Sequence, residues 1–287
     1  MRKQLFMMSL MLISISGALA QIQSYQLKKG DAYEVIQEAN VIIDQEVMGS
    51  SMQVTQKVLS SDMLEVISAS KGVFEIKYTS ISRKLVMNIP MAGEQVMDSE
   101  GSSAIDKPFQ AIVNKSFIFV MDQFGKIQEF KGLEEVQNEM KAELGTLNLP
   151  GGEQLDEMLS VYTEDILRAT MASQFGFYAG DSSSEWTRDY SSVVNKLPVK
   201  LSVKHWYDSD NAILAEGSLS IKGDIQQMGM TMSTNMEGTQ NTIYDLSESG
   251  MPMKIQTRQN AEGTMMAQGM EIPMKLTTNS TITYSKK

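Results

Sequence analysis

Side chains able to do acid–base, nucleophilic or metal chemistry are few in this sequence, and they stand in patterns that do not suit it. His205 is the single histidine and cysteine is absent, which removes thiol nucleophiles and any multi-histidine metal site. A Ser-His-Asp triad would have to use His205, yet that residue continues the apolar row Val199, Leu201, Val203, and no G-x-S-x-G elbow occurs. A histidine packed in a strand accounts for it. Carboxylates cluster at Glu134-Glu135, Glu139, Glu143 and Glu164-Asp165. A glycosidase needs two carboxyls facing each other across a cleft, whereas these fall on polar helix faces or at helix starts, where acidic charge is favourable. Gly151-Gly152 precedes no Gly-Lys-Ser/Thr, so there is no phosphate loop.

Methionine is the unusual component, with 24 in the chain, of which Met1, Met7, Met8 and Met11 fall at the very start. Met228-Gly229-Met230-Thr231-Met232 and Met251-Pro252-Met253 put thioethers at alternate positions, hence on one face of a strand, a spacing that suits a cuprous or silver ion. No histidine or acidic cluster completes such a site, and methionine filling an apolar interior explains the same pattern. The expectation is therefore a protein with no catalytic residue, no resident metal and no cofactor.

Residues 1–20 read as a cleaved secretory signal: Arg2 and Lys3 lead, Leu5 to Ile15 is apolar, and Ala18-Leu19-Ala20 is an A-x-A cleavage site before Gln21. The apolar run is too short to cross a membrane as a helix, and no second one follows, so no membrane-spanning segment is expected in the mature chain. Its loss takes two positive charges from a formal charge of −10, a sign that opposes nucleic acid and anionic membrane surfaces. Export without cysteine leaves stability to burial and hydrogen bonding, a state suited to the periplasm of a Gram-negative cell or to secretion.

The elements that must position any site divide into two β wings around one helical island. Tyr33, Val35, Ala39, Val41 and Ile43 alternate with polar residues as a half-buried strand does, and Phe74, Ile76 and Tyr78, then Leu85, Met87 and Ile89, continue the pattern. Gly49-Ser50-Ser51 and Ser60-Ser61-Asp62 read as breaks. Phe117 to Met121 is apolar on both faces, as a central strand would be. From Leu133 to Phe177 the spacing turns helical, with Leu133, Val136, Met140 and Leu144 on one face and Leu155, Met158, Leu159, Tyr162, Ile166 and Leu167 on another. Alternation resumes from Val199 to Val203 and ends with the hairpin Tyr244 to Ile255 and the last row Met274, Leu276, Ile282, Tyr284. The fold class predicted is mainly β: residues 21–287 as a single domain whose curved antiparallel sheet or half-barrel has its concave face covered by the insert 133–177.

VMGSSMQVTQ, GKIQEFKG, QFGFY, SSEWT and IYDLSESGMPMKI, spread over most of the mature chain, resemble a family of uncharacterised exported proteins common in Bacteroidota. The chain departs from that family's usual proline and glycine-aspartate before the tryptophan, having Tyr178-Ala179-Gly180-Asp181-Ser182 instead. More distantly, wing, helices and wing resemble the half-barrel with a helical lid of periplasmic lipoprotein carriers, an analogy of fold. The expected function is a non-enzymatic protein binding an apolar small molecule or lipid, with Met158, Leu159, Tyr162 and Ile166 of the lid facing Phe119, Met230 and Met253 of the sheet. The alternatives are an envelope interaction protein whose helices simply fill the concavity and, less favoured, a methionine-based soft-metal binder. The pattern carries no information on oligomeric state.

Overall fold

The alternating rows form strands, and the strands join into one sheet. The computed structural model describes residues 23–47, 49–90, 92–145, 162–181, 183–194, 197–208, 212–227, 230–267 and 269–287. In chain order the first wing is β1 (Ala32–Val47), β2 (Ser50–Ser70), β3 (Val73–Ile89), β4 (Gly93–Asp98), β5 (Ser116–Asp122) and β6 (Ile127–Lys131). The second is β7 (Glu185–Val194), β8 (Leu197–Tyr207), β9 (Ala212–Gln227), β10 (Met230–Leu246), β11 (Pro252–Ala267) and β12 (Met270–Lys286). Every pairing is antiparallel, in the order β6-β5-β3-β2-β1-β12-β11-β10-β9-β8-β7, with β4 also on β3.

The two wings meet along a seam in which β1 pairs β12 from Tyr33↔Lys286 to Gln45↔Met274. The result is a curved, unclosed sheet whose free edges are β6 and β7. Close approach of strands accompanies the curvature in the second wing: a Cβ at Gly263 of β11 would lie 2.0 Å from the Asn235 carbonyl oxygen of β10, so only glycine fits there.

The helices fall at two places in the chain, between β4 and β5 and between β6 and β7. A short 3₁₀ turn (Ala104–Asp106) runs into α1 (Lys107–Gln110), and the Asp106 carboxylate holds this loop by accepting hydrogen bonds from Ser103 Oγ at 2.6 Å and the Asp98 N–H at 2.9 Å. α2 (Leu133–Gly145) buries Leu133, Val136, Met140 and Leu144, the stripe its spacing predicts. α3 (Glu164–Phe175) lies against β6 and β7 and adds Met171 and Phe175 to the core.

Two expectations about strands are corrected. Ser60-Ser61-Asp62 does not end a strand: β2 runs through it, with a register shift between Ser61 and Asp62, because Ser60 and Asp62 turn inward and are buried. β5 is not central; it lies between β3 and the edge strand β6. Val120 on its outer face is nevertheless buried, since the Lys131–Glu75 ion pair at 2.7 Å reaches from β6 to β3 across it.

Candidate ligand cavity

α3 and the segment after it meet the sheet in two ways. At its C-terminal end the space is filled: Phe175, Phe177 and Tyr178 are buried against Phe119, Tyr25 and Tyr244. Tyrosine hydroxyls fasten this segment, Tyr25 donating to the Phe175 carbonyl at 3.0 Å, Tyr244 to that of Ser173 at 3.3 Å and Tyr178 to that of Gly250 at 2.7 Å. Between Leu167 and Phe175 the same helix leaves a gap over β1, β2 and β12. Leu167 and Met171, four residues apart and so on one face, roof a cavity of about 200 Å³ over Val35 of β1, Val58 and Leu64 of β2 and Ile282 of β12.

One wall is polar. Asp62, Tyr78 and Arg83 line the cavity, with Tyr78 Oη donating to Asp62 at 2.7 Å and Arg83 Nη2 to Asp62 at 2.5 Å, while Arg83 Nη1 donates to the Ser61 and Ser82 carbonyls at 3.2 and 2.8 Å. Burial raises the Asp62 carboxyl against the pull of Arg83 and Tyr78. On the opposite side the Tyr284 ring lines the cavity, while its hydroxyl oxygen is closed off from that space and has no hydrogen-bond partner among the described residues. The arrangement can hold a small apolar body beside the Asp62–Arg83 pair.

The expected site residues are brought together only in part. Phe119 is buried at the filled end and Tyr162 packs half-buried against the core. Ile166 is half-buried and does not line the cavity, because the inward stripe of α3 runs through Leu167, Met171 and Phe175. Met158 and Leu159 lie outside the described residues. Met230 opens β10, sixteen residues before Leu246, which places its backbone roughly 50 Å along the strand from the core end. Met253 is half exposed: the register jumps from Asp245↔Lys254 to Leu246↔Pro252, leaving Met253 as the extra residue of a bulge and turning it out, while Met251 is buried. The thioethers of Met251 and Met253 thus do not share a face. Reading the residues did not find Asp62, Arg83 and Tyr284; the available signal was an acid at an inward position between Val58 and Leu64.

His205 is buried, stacked on Trp186 with ring centroids 5.6 Å apart and planes 6° from parallel. Among the described residues neither ring nitrogen has a hydrogen-bond partner in full bonding geometry; burial pushes the pKa down to about 4 against a weaker upward pull from the Val203 backbone. No group of three or more histidine, cysteine or acidic side chains able to hold a metal ion occurs among the described residues.

Residues 71–252 match the model of a family of unknown function, DUF6263. The chain belongs to this family. The DUF6263 span begins at the turn before β3 and reaches the first residue of β11, so it takes in Tyr78, Arg83 and α3 but not β1 or β12. No curated protein matches the chain. Among solved structures, lipovitellin, studied for its lipid–protein interactions, is similar at 9% identity with a TM-score of 0.51 over 90% of this chain, which spans 25% of that one. This is a likeness of fold. DynF from the dynemicin pathway of Micromonospora chersina (7% identity, TM-score 0.27, 92% and 85% of the two chains) and an outer membrane channel from Pseudomonas putida F1 (9%, 0.20, 91% and 97%) align too loosely to support an argument. Among the described residues no helix is long and apolar enough to cross a membrane.

Proposed function

We propose that this DUF6263 protein is a non-enzymatic exported protein that holds a small apolar ligand of lipid class beneath α3. The observation that carries the proposal is the cavity itself: helix and sheet stand apart over an apolar lining where the rest of their contact is closed. An apolar space that the described residues leave beside a well-packed core forfeits contacts that a ligand would restore. The ligand class agrees with lipovitellin, whose lipid–protein interactions occur in a protein of similar fold. The test is native mass spectrometry of protein purified from its host without detergent, with N-terminal mapping of the same sample. The expected result is a population carrying one small lipid on a chain that begins at Gln21. A bare chain that also takes up no apolar probe would overturn the proposal.

A second reading, an envelope interaction protein whose helices fill the concavity, is favoured by the closed packing of Phe175, Phe177 and Tyr178. Met171→Trp separates the two: filling the cavity abolishes uptake under the first reading, and under the second there is no uptake to lose.

A further inference from the structure

Apart from the cavity beneath α3, we infer a second site on the inner face of the second wing, where Met236, Met265 and Met274 gather three thioethers about Gly263 to take a soft monovalent cation, cuprous or silver. The strand register sets this out. Gly263 of β11 pairs with Met236 of β10 on one side and with Met274 of β12 on the other. Residues directly opposite in antiparallel strands point to one face, and Met265, two places along β11, points there as well. The face is the inner one: Tyr244, Ile255 and Ile282, which the same strands bury in the core, stand an even number of residues from Met236, Met265 and Met274 respectively. Met266, next to Met265, faces outward and is 39% exposed.

Because the partner shared by Met236 and Met274 is a glycine, no side chain stands between them. The backbone also closes here, since a Cβ on Gly263 would lie 2.0 Å from the Asn235 carbonyl oxygen and 2.7 Å from Met236 Cα, and this approach of β10 shortens the span the two side chains must bridge. Met236 is buried with Leu219 and Ala261 in a small apolar cluster that Met274 joins from its edge, and to which no described helical residue belongs. Met265 and Met274 are half-buried. The group is therefore closed behind Met236 and open in front, so an ion can enter without unpacking the core. Unbranched, flexible side chains let the sulfurs turn toward a common point. Neutral thioethers select soft cuprous or silver ions over hard divalent ones, and a single charge costs less to seat in an apolar cluster than two. Stronger soft ligands do not compete, because the chain has no cysteine and its single histidine, His205, is buried against Trp186.

The experiment titrates the full mature protein with silver nitrate in chloride-free buffer by calorimetry, and with cuprous ion under ascorbate against a cuprous chelator. The variants are Met236→Leu, Met265→Leu and Met274→Leu, singly and together, with Met266→Leu as the outward neighbour. Leucine keeps the volume and removes the sulfur, so the fold should hold. Wild type and Met266→Leu should bind one ion with equal affinity, each inner variant about tenfold more weakly or worse, and the triple variant not measurably. In wild type labelled with methyl-13C methionine, one equivalent of silver should move three methyl signals most, those missing from the three single variants. This measurement needs no variant to bind or to be stable. Either ion bound at these three methionines supports the assignment. A wild type that binds neither, shifts spread over other methionines, or a triple variant that binds as the wild type does would overturn it. Apolar-probe uptake beneath α3 should be unchanged in all the variants, so the two sites stand or fall separately.

Discussion

Gly125, in the turn between β5 and β6, sits directly against the carbonyl of Phe175 at the end of α3: a Cβ there would lie 1.8 Å from that oxygen. The turn also needs glycine for its backbone, φ +83°. The same carbonyl accepts from Tyr25, and Arg168 Nη1 of α3 donates to the Ile127 carbonyl just past the turn at 2.8 Å. Helix and hairpin are thus docked through backbone. Gly125→Ala should destabilise the protein by more than about 2 kcal/mol, read from the urea midpoint, through steric displacement added to strain at positive φ. A loss below 1 kcal/mol would show that the docking yields easily.

Asp62 and Arg83 form a pair whose side chains are 10% and 14% exposed. Asp62→Ala leaves a buried guanidinium uncompensated and should cost about 3 kcal/mol. The double variant Asp62→Ala, Arg83→Met should cost clearly less than the sum of the two single changes, with a coupling of about 1 kcal/mol or more in chemical denaturation.

The pH dependence of stability should carry a mark of His205. Its pKa is lowered from an ordinary 6.5 to about 4, with burial as the main cause and Arg188 adding to it. Between those values the unfolded chain binds the proton and the folded chain does not. The stabilisation is therefore full above pH 6.5 and is lost as pH falls toward 4, by roughly 3 kcal/mol. Asp31 and Asp98, held low by Lys286 and Lys84, lose stability in the same direction at lower pH, so the measure is the difference between wild type and His205→Phe in melting temperature at pH 7 and pH 4.5. The variant should fall less.

Met253 and Met171 make a controlled pair. Met253→Gln, on an outward bulge, should change stability by no more than about 0.5 kcal/mol and leave probe uptake intact. Met171→Gln puts an amide into the roof of the cavity and should cost about 2 kcal/mol together with most of the uptake.

The parts of the fold that one strand reveals by itself were legible. The row Tyr33, Val35, Ala39 alternates because one side of β1 faces the core, and Leu133, Val136, Met140 and Leu144 recur helically for the same reason. What two strands decide together was not. Three polar residues in succession at Ser60 look like a turn, and only the approach of Tyr78 and Arg83 from β3 makes Asp62 a wall of the cavity. Met253 follows the right alternation by sequence, yet a bulge set by its pairing with β10 reverses it. Tyr284 is legible as an inward aromatic of the last row; that its ring borders a cavity depends on where α3 stands off the sheet.

The pairing of β1 with β12 also sets an order of events in time. Contacts such as Lys287 with Glu34 join residues 253 positions apart, so the seam forms only after β12 has been made and brought back to β1. Until then β1 has β2 on one side and an open row of amides and carbonyls on the other. Such long-range closure is slow and leaves an edge that other chains can join. A chain halted before β12 would therefore aggregate through β1 instead of folding to a smaller version of the sheet, and refolding of the whole should be limited by the meeting of its first and last strands.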